Sequence, residues 1–119
     1  MTNILAVLIL SSTFSVAVET NEGYVEKSFQ NTVQGAEEFW IFAEPLIVAA
    51  GKKVKICTVS VAEDPGPIMA WLLDEDFGPA LLSRARFEEY AAKNQSSQQS
   101  AVTAAQACLA AFPFIRRAT

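Results

Sequence analysis

The sequence contains no histidine among its 119 residues. That removes the commonest general base at neutral pH together with the commonest transition-metal ligand, and it disfavours most hydrolytic and metal-dependent mechanisms. Basic charge is also scarce. Nine Lys and Arg face 13 Asp and Glu, and seven of the nine fall in three short groups: Lys52, Lys53 and Lys55, then Arg84 and Arg86, then Arg116 and Arg117. A phosphate backbone needs a continuous basic face, so nucleic acid is not an expected partner. Gly51-Lys52-Lys53 lacks the upstream glycine and following hydroxyl of a phosphate loop. No internal repeat is visible, and no motif implies a cofactor.

What is present is apolar. With 51% hydrophobic and 18% charged residues, the chain has the composition of a folded domain with one core. Its N-terminus carries an unbroken run, Ile4-Leu5-Ala6-Val7-Leu8-Ile9-Leu10, followed by Ser11, Ser12, Thr13 and then Ser15-Val16-Ala17. An apolar core followed by small residues at −3 and −1 reads as a secretory signal over residues 1–17, cleaved after Ala17, although no Lys or Arg precedes it. Two other readings fit the same run. A continuous Ile/Leu/Val stretch suits a central parallel strand. An anchor over residues 4–18 would leave a membrane-associated subunit, but Ser11-Ser12-Thr13 interrupts the run well short of the roughly 20 apolar residues a span requires.

The remainder, residues 18–119, reads as a single helix-rich domain: a mainly α bundle of four to five helices. Val25, Phe29 and Val33 recur every fourth residue, predicting a helix over 21–33 with Gly35 as its stop. Residues 36–50 predict a second helix, apolar all round, kinked by Pro45 and therefore the most buried element. Residues 52–61 alternate polar and β-branched side chains and predict one short strand or extended segment. Glu63-Asp64-Pro65-Gly66-Pro67 is a turn. Helices follow over 68–76 and 80–93, and an Ala-rich one over 101–112 is expected to lie flat on the core.

Cys57 and Cys108, 51 positions apart, are too distant for a local metal or redox motif. Export would make them one structural disulfide; retention in a reducing compartment would leave two buried thiols. Asp74, Glu75 and Asp76 are adjacent carboxylates, and neighbours on a helix diverge by about 100°, so they form a solvated helix end and no cation site. Glu88 and Glu89 read the same way. Asn94-Gln95-Ser96 is a formal N-glycosylation acceptor. Phe39, Trp40, Phe42, Ile68, Trp71 and Leu72 read as plain core or as the lining of an apolar ligand cavity.

At the level of architecture alone, such a chain resembles small periplasmic inhibitors, immunity proteins of type VI secretion competition and small stress chaperones. The resemblance assigns no residue a role. The expected function is that of a non-enzymatic, periplasmic or secreted domain that binds another protein, with Asp74, Glu75, Asp76, Glu88 and Glu89 as the acidic rim of its contact surface. The alternatives are a carrier of a small apolar ligand and a membrane-associated subunit.

Overall fold

The structure is a computed structural model, and it describes residues 2–51, 53–75 and 77–112. Its centre is the N-terminal apolar run. Strand β1 (Thr2–Ile9) pairs antiparallel with β2 (Thr13–Thr20) on one side and parallel with β4 (Lys53–Ser60) on the other. Strand β3 (Gly23–Gln30) continues the antiparallel ladder beyond β2, and the short β5 (Ala80–Leu82) lies parallel to β4. The sheet order is β3-β2-β1-β4-β5.

Helices cover both faces. On one lie α1 (Val33–Ala50) and α2 (Pro67–Asp74), and on the other α3 (Arg84–Lys93) and α4 (Ala101–Ala111). Because β1 is covered on both sides, every side chain of it can be apolar: Leu5, Val7 and Ile9 pack toward α1 and α2, whereas Ile4, Ala6 and Leu8 pack toward α4. Ala17 and Cys57 flank β1 on the α4 face, and α4 itself presents Ala101, Ala104, Ala105 and Ala107. Small groups on both sides allow close contact between helix and sheet.

The fold is therefore α/β, and the expectation of a mainly helical bundle is corrected. Three segments account for the difference. Residues 4–9 form a strand, hydrogen-bonded along its length to two neighbours. The helix expected over 21–33 is instead the tip of the β2–β3 hairpin followed by β3 and the start of α1. Val25 and Phe29 share a face because four residues are two periods of a strand as well as about one turn of a helix. Residues 80–82, expected at the start of a helix, form β5.

Other expectations agree with the structure. The strand expected over 52–61 is β4, with Lys52 outside the described residues, and the final helix lies against the sheet. Gly35 does not stop a helix; it sits buried in the first turn of α1, where a side chain would collide with the Gln30 carbonyl. The cap is Thr32, whose Oγ1 accepts the Gly35 N–H at 2.9 Å. Nor is α1 the most buried element. Phe39 and Ala43 are buried, but Ile41, Pro45 and Val48 are exposed on its outer side.

The stretch that reads as an export signal thus supplies β1 and most of β2, with residues 4–9 fully buried. Cleavage after Ala17 would remove the strand on which the sheet is built. Cys57 on β4 is disulfide-bonded to Cys108 on α4, their Cα atoms 6.5 Å apart. No helix among the described residues is long and apolar enough to cross a membrane.

Candidate protein-binding surface

The acidic residues singled out in the sequence do not form one rim. Asp74 and Glu75 lie exposed at the C-terminal end of α2, and Asp76 falls outside the described residues. Glu88 and Glu89 belong to α3, on the opposite face of the sheet. Glu88 is also engaged, its Oε1 accepting from Arg84 Nε at 2.9 Å one turn back along the helix. Such an exposed pair contributes little to stability.

The aromatic residues pack on one another. Phe39, Ile68 and Leu72 are fully buried. The Trp40 and Phe77 rings lie 4.9 Å apart, Phe39 and Trp71 5.9 Å, and Trp40 and Trp71 6.3 Å. These are contact distances for aromatic rings, so the side chains fill the space an apolar ligand would need. The half-buried Trp40 donates its Nε1–H to Glu44 Oε2 at 2.9 Å, leaving its ring in the cluster and its polar atom at the surface.

Open α/β sheets place ligands beyond the carboxyl ends of their parallel strands. Here that position holds a crevice of about 350 Å³ lined by Leu10, Val61, Arg84, Glu88, Gln98 and Gln99. Its strand-end side chains, Leu10 and Val61, are apolar, and its carboxylate is the one already paired with Arg84. Among the described residues that line it there is neither a nucleophile beside a base nor a pair of carboxylates for proton transfer.

A different surface is built for contact. Strand β3 forms one edge of the sheet, so alternate backbone N–H and C=O groups along it point away from β2. Beside it runs α1, and the chain reverses between them, setting Phe29 near Phe42 and Val25 near Leu46. Two cavities open between the elements. One, of about 370 Å³, is lined by Lys27, Ser28, Phe29, Glu38, Ile41 and Phe42. The other, about 280 Å³, lies by the β2–β3 hairpin and is lined by Val25, Leu46, Ala49 and Ala50 with the turn residues Thr20, Asn21 and Glu22.

Lys27 lines the first of them. Its Nζ lies 5.5 Å from the ring centres of both Phe29 and Phe42, held by cation–π attraction, and among the described residues no carboxylate pairs with it. The outer side of α1 adds a ridge of Ile41, Pro45 and Val48, with Ile41 75% and Val48 72% exposed. Pro45 supplies no N–H to the carbonyl of Ile41, one turn earlier, as a normal helix would.

Reasoning from sequence missed this surface because it assigned residues 21–33 to a helix. The signal that marks it is the alternation Val25, Lys27, Phe29, with a cation in the middle slot of an otherwise apolar face.

No protein-family model matches the chain, and no curated protein matches it.

Proposed function

We propose that this is a non-enzymatic domain that binds another protein, through the groove between β3 and α1. The observation that carries the reading is a strand that forms the edge of the sheet among the described residues, beside a helix, with two cavities between them and exposed Ile41 and Val48 on the helix flank. Large apolar side chains exposed next to unsatisfied strand groups mark interaction surfaces, and edges left open without function are normally blocked.

We also place the domain in an oxidising compartment, periplasmic or extracellular. The bridge between Cys57 and Cys108 supports this, because such bonds persist where thiols oxidise.

The test is to pan a displayed library of random peptides against the folded domain and to repeat the binding with Ile41→Asp. Peptides that enrich on the native surface and lose affinity for Ile41→Asp support the reading. No enrichment, or enriched peptides indifferent to Ile41→Asp and to changes at Phe42, would overturn it.

A further inference from the structure

We infer that the groove takes an extended peptide segment, which adds to β3 as a sixth strand and presents an apolar side chain, then a carboxylate, then an apolar side chain at positions i, i+2 and i+4. This deepens the protein-binding reading and rests on it.

The geometry comes from β3 itself. Side chains two apart along a strand share a face, so Val25, Lys27 and Phe29 all point to the α1 side, as their contacts with that helix show. Val25 borders one cavity and Phe29 the other, four residues and roughly 13 Å of strand apart. A peptide paired to β3 along Val25–Phe29, on the side that has no neighbouring strand among the described residues, places its own side chains opposite these three. Its first and fifth residues then meet the apolar walls of the two cavities, Val25 with Leu46 in one and Phe29 with Ile41 and Phe42 in the other, whose rims also hold Glu22 and Glu38, and its third meets Lys27, which forms no ion pair among the described residues. The pattern reads the same in either direction, so it holds for parallel and antiparallel addition. Main-chain hydrogen bonds would supply affinity and the alternate side chains specificity.

The other face of β3 is already committed. Glu26 Oε2 accepts from Ser100 Oγ and from the Val102 N–H, both at 3.0 Å, and Ser28 Oγ lies 2.7 Å from Ser15 Oγ. Side chains of the peptide pointing that way meet a surface whose polar groups are engaged.

A second copy of this chain fits the edge poorly. Two β3 strands related by a two-fold axis must pair residues that share a face. The two registers of greatest overlap then set Glu26 against Glu26 or Lys27 against Lys27, and like charges directly opposite are destabilising. A peptide with a central acid meets no such conflict. The opposite edge, β5, has three residues and offers far less ladder.

The probe is a fluorescein-labelled peptide with the core Leu-Thr-Asp-Thr-Leu, titrated by anisotropy against the full chain. Three partners are compared: the same peptide with Lys at the centre, the same peptide N-methylated on alternate amides, and the Lys27→Glu protein. Expected are binding of the acidic peptide, a loss of about five-fold or more on changing Asp to Lys, and loss of binding with methylation of the set of amides that faces β3. In Lys27→Glu the charge preference should invert, a rescue that also shows the variant is folded. Equal affinity for the Asp and Lys peptides, or indifference to methylation of either set, would overturn the inference. If library peptides still bind and depend on Ile41 in that case, the protein-binding reading stands and only strand addition falls.

Discussion

Asn31 and Ile68, 37 positions apart in the chain, are joined by a buried hydrogen bond: Asn31 Oδ1 accepts the Ile68 N–H at 3.0 Å. The same side chain donates to the carbonyls of Ser11 at 3.1 Å and Pro65 at 2.8 Å. One amide therefore ties together the β1–β2 turn, the loop after β4 and the first turn of α2, which has no side-chain cap from its own cap residue, Gly66. Asn31→Ala should cost about 2–4 kcal/mol, since three bonds are lost and buried backbone groups are left without partners. Urea denaturation checks this; a change near zero would show that water replaces the amide without loss.

Gly66 belongs to the same knot. Its φ of 72° and ψ of −169° lie in a region that only glycine enters readily, and a Cβ placed there would stand 2.6 Å from Asn31 Nδ2. Gly66→Ala should therefore destabilise by about 1–3 kcal/mol through strain. Combined with Asn31→Ala, the loss should be smaller than the sum, because the collision disappears with the amide.

Glu26 links the edge strand to the opposite end of the chain by closing the N-terminus of α4. Glu26→Ala should cost about 1 kcal/mol, the usual value of a lost cap, and it should leave peptide binding in the groove unchanged because the side chain lies on the other face. A variant that loses binding at full stability would mean that both faces of β3 contribute to the contact.

The disulfide joins two fully buried sulfurs across 51 positions. Replacing both cysteines by alanine should lower stability by about 4 kcal/mol as an upper value, from the freed unfolded chain. In the native protein thiol reagents should find nothing to titrate until it is reduced and unfolded. Two thiols that titrate in the freshly purified natural protein would remove the support for an oxidising compartment.

What the sequence revealed, and what it hid, follows from how far each pattern is local. Residues 53–60 were readable as a strand because β-branched residues dominate them and because polar Lys53 and Lys55, at the less buried start of β4, alternate with Val54 and Ile56. The turn at Pro65-Gly66-Pro67 and the Ala-rich helix were readable as well. β1 was ambiguous because a strand buried on both faces carries no alternation, and its apolar run has the same letters as an export signal. β3 was misread because Val25 and Phe29 fit both periods and the exposed Lys27, whose ammonium lies over two aromatic rings, occupies the slot between them where an apolar residue would have declared the strand. The groove depends on β3, so it was lost with it.

If β1 is the centre of the sheet, residues 2–17 must remain in the functional protein. Leu8→Ala, at a position with no exposure, should cost about 2–5 kcal/mol. N-terminal sequencing of the natural protein should find these residues present. A mature form beginning at Val18 would contradict the role of β1 in the working fold.

The central claim is that partners are held along β3 beside α1, and amide hydrogen exchange with a bound peptide from the library tests it most directly. The account predicts slowed exchange at alternate amides of residues 23–30, those that face away from β2, with accompanying protection of residues 41–49 on α1. Protection confined to the far face, around Glu88, Glu89 and Gln98, or absent from β3 altogether while the peptide is bound, would contradict it.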